Sequence, residues 1–376
     1  MNLYNVYSLF DINLRHGKGA MVYDEKDVGY LDFYGGHAVI SVGHCHPHYT
    51  ETIQNQLQKL SFYSNSVVNE LQQELADKLE HVSGEKGYDL FLINSGAEAN
   101  ENALKLASFH NGRKKVIALT NGFHGRTSAA INITHTGQKH AALINHGVEV
   151  IYFDKDDKDG IVTAIQNKDV SAVILEAIQG VGGLDMISKE LAKAIETVCL
   201  DTDTLLIMDE VQCGYGRSGA FFAFQHLYIS PDLITMAKGM GNGFPIGGVL
   251  IKGEKMPAVK GRLGTTYGGN HLACAAGIAV LDIILAEGLI ENAKKMGLML
   301  SKELGNLKDI IQVKGKGLMM GAEFDFPVKA LRKNLIFNQH VFTGSSSNPN
   351  LLRLLPPLNI TENQADQFIQ ALRKEL

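Results

Sequence analysis

The 376-residue sequence contains few prolines, few cysteines and no long hydrophobic run. Its 4 cysteines lie far apart without a Cys-x-x-Cys pair, which argues against a disulfide framework or a thiolate zinc site and is typical of a reducing compartment. The longest apolar stretch, 272–281, is shorter than the ~20 residues that a membrane-spanning helix needs. Because the first residues also lack the apolar segment of a signal peptide, we expect a globular, cytoplasmic protein without a membrane partner.

A large excess of charge of one sign is also absent. Lysine and arginine total 35 and aspartate and glutamate total 40, which gives a net charge of −5 without a basic patch, so we expect no nucleic-acid partner. Glycine, by contrast, is abundant, with 39 residues against 8 prolines. Glycines gathered at strand ends would let the backbone approach a ligand closely, whereas scattered glycines would indicate flexible loops.

Short apolar runs rich in β-branched residues alternate with helical patterns such as 71–82. The runs are continuous, which predicts strands buried on both faces of a mostly parallel sheet in an α/β domain. The predicted strands are 89–94, 115–120, 148–153, 171–176, 204–209, 233–237 and 246–251. Ligands of such sheets bind at the carboxyl ends of the strands.

The rest of the chain has a different pattern. Helical segments and two short strands after the last of these runs indicate a smaller α+β unit, and the first forty-odd residues are too few to fold alone. We expect an N-terminal segment that packs on the small domain, a large cofactor-binding domain and a small C-terminal domain, over residues 1–45, 46–260 and 261–376.

The first motif with chemistry is Asn94-Ser-Gly-Ala-Glu-Ala-Asn-Glu101, where a predicted strand ends and a helix begins near Gly96. Free N–H groups at a helix N-terminus bind phosphate, and the small residues Gly96 and Ala97 leave room for its oxygens. An ordinary helix capped by Ser95 is the alternative. The motif is neither a dinucleotide fingerprint nor a P-loop.

Two strand-end residues add to this motif. Asp209 ends a very apolar strand, where a carboxylate needs a cation or donor, either in a structural ion pair or on a protonated ring nitrogen. Lys238 lies between an apolar strand and a glycine-rich bend, where desolvation would lower its pKa and make it a nucleophile; a solvated loop lysine is the alternative. A phosphate cradle, an aspartate and a lysine are together the groups that pyridoxal 5'-phosphate requires.

Further strings follow one another in the order of a known family. They are Tyr30-Leu-Asp-Phe33, Gly43-His-Cys-His-Pro47, Phe123-His-Gly-Arg-Thr127, Ile178-Gln-Gly180, Asp209-Glu-Val-Gln212, Gly264-Thr-Thr-Tyr-Gly-Gly-Asn270 and Leu352-Arg-Leu-Leu-Pro-Pro-Leu358. Nearly end to end, the chain resembles class III aminotransferases of pyridoxal-phosphate fold type I, and among them the acetylornithine aminotransferase group. The resemblance implies a large domain with a mostly parallel seven-stranded sheet, a smaller α+β domain, and a homodimer with shared active sites.

The resemblance also implies roles for single residues. Lys238 and Asp209 would be the catalytic residues, Phe123 would stack on the cofactor ring, and Val211 would pack beneath it. Gln212 would bind the phenolic oxygen, and Thr266 would reach the phosphate from the partner subunit. The expected cofactor contacts are Ser95, Gly96, Ala97, Phe123, Glu176, Asp209, Val211, Gln212, Lys238 and Thr266. No metal is expected.

For the substrate, the resemblance implies that Arg126 and Arg353 bind carboxylates through their guanidinium groups, with Thr265 and His37 nearby. The implied reaction takes the δ-amino group of an N-acetyl- or N-succinylornithine, releases the semialdehyde and converts 2-oxoglutarate to glutamate, as a step of arginine biosynthesis. The alternatives are another class III substrate (ornithine, 4-aminobutyrate or a lysine-pathway intermediate), an aminomutase of the same fold, and a non-catalytic cofactor binder.

Two positions depart from the family's pattern. Val181 replaces an acid that pairs with the carboxylate-binding arginine in relatives, so we hypothesise that Arg353 stays available to an α-carboxylate in both half-reactions. His37 replaces the usual isoleucine and would touch the acyl group or the α-carboxylate, or else bond only to the backbone.

Three further features have ordinary structural interpretations. The run of His44, His46 and His48 is expected to form a turn rather than a metal site. Cys213 is interpreted as a packing residue. Arg217 is interpreted as a structural cap rather than a substrate ligand.

Overall fold

Three β-sheets organise the chain in its computed structural model, which describes residues 1, 3–136, 141 and 147–376. The first three strands form antiparallel pairs near the N-terminus, and they are β1 (Leu14–Lys18), β2 (Met21–Asp24) and β3 (Gly29–Asp32). A single helical turn, α1 (Gly35–Ala38), follows, and its backbone is left-handed because all four residues have positive φ.

Alternating strands and helices build the largest sheet and its covering layers. In chain order these elements are α2 (Pro47–Lys59), α3 (Glu70–Ser83), β4 (Tyr88–Ile93), α4 (Gly96–Asn111), β5 (Lys115–Leu119), α5 (Ser128–Asn132), β6 (Glu149–Phe153), α6 (Lys158–Gln166), β7 (Val170–Leu175), α7 (Lys189–Thr202), β8 (Leu205–Asp209), β9 (Leu233–Met236) and β10 (Gly247–Lys252). Two short 3₁₀ helices, Ala223–Leu227 and Lys238–Met240, lie on either side of β9.

The seven strands lie in the order β4-β10-β9-β8-β7-β5-β6. Pairs from β9 to β6 are parallel, whereas β10 is antiparallel to both of its neighbours. The prediction of a mostly parallel seven-stranded sheet is therefore confirmed, with strand ends that differ from the predicted ones by at most one residue.

Burial of the central strands on both faces explains their continuous apolar sequences. In β7, Val173 belongs to one hydrophobic cluster and its neighbour Ile174 to the other. Every residue of this strand is buried. Ile117 and Val116 of β5 divide in the same way. Polar groups near this sheet can therefore meet solvent or a ligand only at the strand ends.

A smaller α+β unit follows, as predicted. Its elements are α8 (His271–Ala286), α9 (Leu289–Gly305), β11 (Ile310–Lys316), β12 (Met319–Phe324), α10 (Lys329–Gln339), β13 (Val341–Phe342), β14 (Leu351–Leu354) and α11 (Glu362–Glu375). Strands β11, β12 and β14 form an antiparallel sheet, against which α9 packs. The sequence analysis did not identify β14 as a strand.

The N-terminal sheet is joined to the smaller α+β unit, because β13 pairs in parallel with β3. Helix α8, in contrast, packs against α2 and α3. The domain boundaries at residues 45 and 260 stay a prediction.

The cysteines are free thiols, of which Cys45 is exposed and the other three are buried. In the described part of the chain no single helix is long and apolar enough to cross a bilayer, and α8 and α9 pass that test only jointly, as a pair bent by 63°.

Candidate active site

A cavity of about 280 Å³ opens at the carboxyl ends of the parallel strands. Asp209 is the last residue of β8, Glu176 follows β7 directly, and Lys238 begins the 3₁₀ helix after β9. The residues that line the cavity are Gly96, Ala97, Asn100, Phe123, His124, Gly125, Arg126, Glu176, Val181, Asp209, Val211, Gln212 and Lys238. Most of the predicted site residues therefore lie together.

The N-terminus of α4 forms one wall of this cavity. Ser95 caps the helix by accepting a hydrogen bond from the N–H of Glu98 at 3.2 Å, while the N–H groups of Gly96 and Ala97 have no partner within the described chain. A Cβ on Gly96 would lie 2.6 Å from Val211 Cγ1, so only glycine fits here. Two free N–H groups at the positive end of a 16-residue helix suit a phosphate.

Asp209 is buried but fully hydrogen-bonded. Its Oδ2 accepts hydrogen bonds from Asn100 Nδ2 at 2.8 Å and from His124 Nδ1 at 2.7 Å, and its Oδ1 accepts one from the N–H of Val211 at 3.0 Å. Asn100 is held in turn by Thr235, whose hydroxyl donates to Asn100 Oδ1 at 2.8 Å. This network fixes the orientation of the carboxylate at the cavity wall.

His124 gives the Asp209 carboxylate a cationic partner. Burial favours the neutral imidazole, but the hydrogen bond and charge of Asp209 outweigh this effect and raise the pKa of His124. The raised pKa favours the imidazolium form of His124 beside Asp209. The structural ion pair that was one interpretation of Asp209 is therefore present, with His124 as the partner. The Asp209 carboxylate also borders the cavity, so a contact with a ligand's ring nitrogen stays open.

Lys238 has the properties of a reactive amine. Burial is the largest influence and lowers its pKa, although the charges of Asp209 and Glu176 act in the opposite direction. Its Nζ makes no hydrogen bond or ion pair with any described residue, and its φ of 47° lies in the left-handed region. A partly desolvated, unpaired lysine with a strained backbone is typical of a functional site rather than of a solvated loop.

Glu176 holds two loops in place at the cavity. Its Oε1 accepts a hydrogen bond from the N–H of Phe123 at 2.9 Å, and its Oε2 accepts one from the N–H of Gly180 at 3.0 Å. Burial raises the pKa of Glu176 to about 7, although these two hydrogen bonds and His124 act against that effect. The carboxyl group thereby positions the Phe123 ring over the cavity, where Arg126 stacks on it at 5.6 Å.

Arg353 lies at the far side of the site, on β14. It is buried, donates through Nη1 to the carbonyl oxygen of Gly180 at 2.6 Å and to Gln212 Oε1 at 3.4 Å, and leaves its buried Nε without a partner. No carboxylate of the described chain forms an ion pair with it. A buried guanidinium with an unused donor is suited to a carboxylate ligand.

His37 lies at the edge of the same region. Its carbonyl oxygen accepts a hydrogen bond from Gln212 Nε2 at 3.3 Å, and its Nδ1 lies 2.5 Å from the hydroxyl of Tyr34. Partial burial, followed by the charges of Arg353 and Lys238, lowers the pKa of His37 to about 4, so the imidazole is neutral at neutral pH. The described partner of the His37 ring is therefore the Tyr34 hydroxyl, and a contact of His37 with substrate stays a prediction.

Besides His37, four of the predicted residues do not line the cavity. Ser95 and Arg353 border it indirectly, through α4 and through Gly180. Thr265 accepts hydrogen bonds from the N–H of Gly268 and from Asn94, and Thr266 is exposed. The contact of Thr266 with a phosphate of the partner subunit stays a prediction.

The sequence analysis missed Asn100, His124, Thr235 and Tyr34. His124 stands inside the string 123–127 and Asn100 inside 94–101, so both were visible but had no assigned role. Tyr34, whose ring lies 6.0 Å from the Arg353 guanidinium, gave no signal. Asn100 and Asp209 are 109 positions apart, and only the fold brings them together.

The three histidines of the segment 44–48 each have a different carboxylate partner. His44 pairs with Asp32 and His46 with Glu287, while His48 lies 3.6 Å from Asp282. Cys213 donates to the carbonyl oxygen of Ile178, and burial raises its pKa well above the usual value, so it is a packing residue. In the residues that the structure describes, no group of three possible ligands would hold a metal ion.

The fold and this site define an α/β enzyme with a phosphate cradle, a reactive lysine and a paired aspartate. The family model of class-III aminotransferases matches residues 4–376, so the chain belongs to the class-III aminotransferases. It is 39% identical to the acetylornithine aminotransferase of Caldanaerobacter subterraneus subsp. tengcongensis, over 98% of this chain and 96% of that one. It is 38% identical to the acetylornithine aminotransferase of Bacillus subtilis, over 100% of this chain and 97% of that one.

Among solved structures, the ornithine aminotransferase of Toxoplasma gondii, which carries pyridoxal phosphate in part of its active sites, superposes with a TM-score of 0.89. The two chains are 27% identical over 99% of this chain and 92% of that one. Pyridoxal 5'-phosphate is therefore the cofactor. The free N–H groups of Gly96 and Ala97, the Asp209 carboxylate and the unpaired Lys238 amine fit its phosphate, ring nitrogen and aldehyde. When bound, it supplies an electron sink and a temporary carrier for an amino group.

Proposed function

We propose that this enzyme transfers the δ-amino group of N-acetylornithine or N-succinylornithine to 2-oxoglutarate, as a step of arginine biosynthesis. The products are the corresponding semialdehyde and glutamate. The relatives that support this substrate carry the name acetylornithine aminotransferase and are 35–39% identical over nearly the whole chain.

The observation that carries the proposal is the pair of arginines at one cavity. Arg126 lines it, and Arg353 is buried beside it without a carboxylate partner in the described structure. An α-carboxylate on Arg353 would point the δ-amino group of an ornithine derivative toward Lys238, and both carboxylates of 2-oxoglutarate would find a guanidinium. The neutral His37 and the hydroxyl of Tyr34 would meet the acyl group.

The other residues would prepare the cofactor for this reaction. Asp209, held by Asn100 and His124, would keep the ring nitrogen protonated. Lys238 would bind the aldehyde at rest and, once displaced by the substrate amine, would take up and return the proton at the reacting carbon. Phe123 and Val211 would hold the ring from its two faces.

Gln212 would hydrogen-bond the phenolic oxygen, Glu176 would keep the loops at 123 and 180 in place, and Ser95 would hold the α4 N-terminus at the phosphate.

We further propose a cytoplasmic homodimer, in which Thr266 completes the partner's phosphate site and Thr265 lies near the substrate. The side chains of Phe62, Tyr63 and Tyr267 are exposed, and the rings of Phe62 and Tyr267 lie 5.5 Å apart, which supports such an interface. Sedimentation velocity at micromolar concentration tests the dimer.

A panel of half-reactions tests the substrate. The holoenzyme is mixed with N-acetylornithine, N-succinylornithine, ornithine or 4-aminobutyrate, and the visible absorbance of the cofactor is followed, with the Lys238→Ala variant as the blank. We expect the two acylated ornithines to react fastest. Reaction with ornithine but with neither acylated form would contradict the substrate assignment.

Ornithine is the second candidate substrate, because the Toxoplasma gondii structure that shares this fold is an ornithine aminotransferase.

A same-fold aminomutase would move the amino group within one molecule and would leave 2-oxoglutarate unconsumed. Measuring glutamate formed per semialdehyde formed separates the two reactions, and we expect a ratio of one.

A further inference from the structure

Arg217 is a buried guanidinium with no carboxylate partner in the described chain. It follows β8 by eight residues, it is 2% exposed, and it lies outside the cofactor cavity. Burial lowers its pKa, and the charge of Asp32 opposes this effect without a hydrogen bond between the two side chains. Because a guanidinium stays charged at neutral pH, its donors need acceptors, and the acceptors that it finds are main-chain carbonyls.

The three carbonyls belong to three separate segments. Nη2 donates to Ile40 at 3.2 Å, and Nη1 donates to Leu318 at 3.3 Å and to Pro356 at a shorter distance. Ile40 comes directly after the α1 turn, Pro356 follows β14, and Leu318 joins β11 to β12. One side chain therefore ties the N-terminal segment to the sheet that carries Arg353.

The two tied segments also carry the proposed substrate contacts. His37 lies in α1, three residues before Ile40, and Arg353 lies on β14, three residues before Pro356. The backbones of these segments lie directly against each other, since a Cβ on Gly35 would be 2.8 Å from the carbonyl oxygen of Leu355. A shift of either segment would change the distance between the His37 imidazole and the Arg353 guanidinium.

The α1 turn needs such ties. Gly36, His37 and Ala38 have φ values of 54°, 69° and 63°, and a left-handed backbone is unfavourable for histidine and alanine. Asp32 holds the start of the turn by accepting hydrogen bonds from two backbone N–H groups. Asn242 holds the chain after it in the same way. Two main-chain hydrogen bonds link this region to the segment after β14, from Leu355 N–H to Phe33 O at 2.8 Å and from Leu358 N–H to Ser41 O at 2.7 Å. Arg217 adds a side-chain link from the carbonyl oxygen of Ile40 to those of Pro356 and Leu318.

We infer that Arg217 is a positioning residue that sets the spacing between His37 and Arg353 and thereby the affinity of the site for substrate carboxylates. It acts through main-chain carbonyls and does not touch substrate. The inference rests on the proposed function, in which Arg353 binds a carboxylate.

The test compares two conservative variants of the holoenzyme. Arg217→Lys keeps the charge but cannot reach three carbonyls with one ammonium group. The matched control is Arg113→Lys, because Arg113 donates to the carbonyls of Val170, Thr202 and Asp203 at the opposite edge of the large sheet. For each variant the measurements are the Kd of glutarate, a dicarboxylate that cannot be transaminated, the KM and kcat for N-acetylornithine, and the thermal unfolding midpoint.

We expect Arg217→Lys to raise the Kd of glutarate and the KM for N-acetylornithine about tenfold or more, with kcat changed much less and the cofactor absorbance unchanged. Arg113→Lys is expected to lower the unfolding midpoint without a change in Kd or KM. An unchanged Kd of glutarate in a folded Arg217→Lys variant would overturn the inference, and so would an equal rise in Arg113→Lys.

A second variant covers the case in which Arg217→Lys does not fold. Gly36→Ala adds a methyl group that meets no atom within 4 Å and perturbs only the left-handed backbone of α1. We expect it to raise the Kd of glutarate as well, and an unchanged value would refute the positioning role of the turn. If wild-type enzyme binds glutarate but fails with N-acetylornithine, the substrate assignment is wrong, while the glutarate measurements still decide the role of Arg217.

Discussion

Replacing Val181 by glutamate would bring a carboxylate to the Arg353 guanidinium. Val181 lines the cavity, is half-buried, and follows Gly180, whose carbonyl oxygen already accepts a hydrogen bond from Arg353 at 2.6 Å. Among the described residues, the buried Nε of Arg353 has no partner, and it would be the natural donor to the new side chain. The variant would therefore compete with a substrate carboxylate for the same guanidinium.

The size of the effect follows from the burial of the pair. Two unit charges about 4 Å apart attract by about 4 kcal/mol at an effective dielectric constant of ~20. Removing the new carboxylate from water offsets much of this attraction, which leaves about 1–2 kcal/mol. Since 1.4 kcal/mol corresponds to a factor of ten, binding of a substrate carboxylate should weaken by roughly 5- to 30-fold.

Steady-state kinetics with N-acetylornithine and with 2-oxoglutarate measure this change. We expect Val181→Glu to raise both KM values by that factor, whereas Val181→Gln, which has nearly the same size but no charge, should change them by less than about threefold. An unchanged KM in Val181→Glu would refute the reasoning. An equal rise in Val181→Gln would show that bulk rather than charge is responsible.

Three further substitutions probe the site and its support. Lys238→Ala should abolish turnover while the thermal unfolding midpoint stays within a few degrees, and retained turnover would exclude the proposed mechanism. Thr235→Val should lower the free energy of unfolding by about 1–3 kcal/mol in urea denaturation, because Asn100 Oδ1 loses its buried donor; the exposed control Thr163→Val should change it by less than about 0.5 kcal/mol. Burial raises the pKa of Glu210 to about 8. Between pH ~4.5 and that value the folded state holds a proton that the unfolded state has lost, so this group makes the free energy of unfolding fall as pH rises. Glu210→Gln should flatten that dependence, and the same slope in both proteins would contradict the pKa shift.

The positions of Lys238 and Asp209 could be predicted because they depend on local sequence and on one general property of parallel sheets. Continuous apolar runs identify buried strands, and the carboxyl ends of parallel strands meet at one edge. A lysine and an aspartate that follow such runs therefore lie near each other, whatever the details of packing. The helix start at Gly96 is equally local, since it depends on Ser95 as a cap and on small residues after it.

The partners of these residues could not be predicted in the same way. Asn100 reaches Asp209 only because α4 crosses the ends of β8 and β9, and nothing in its own segment indicates this contact. The left-handed conformation of His37 likewise depends on contacts that distant residues such as Asn242 and Arg217 make with the chain after it. A side chain's neighbours across a fold follow from packing geometry, which no local pattern encodes.

The sequence by itself determined the strands of the large sheet and the helices between them, the strand-end lysine and aspartate, and the helix start at Gly96, because burial patterns, helix caps and glycine positions act over a few residues. The tertiary structure alone decided which groups meet: that His124 pairs with Asp209, that Arg353 lies against Gly180 with no ion-pair partner in the described part of the chain, and that Arg217 bonds to three segments. These contacts join residues many positions apart, and their energies depend on burial and distance, which exist only once the chain has folded.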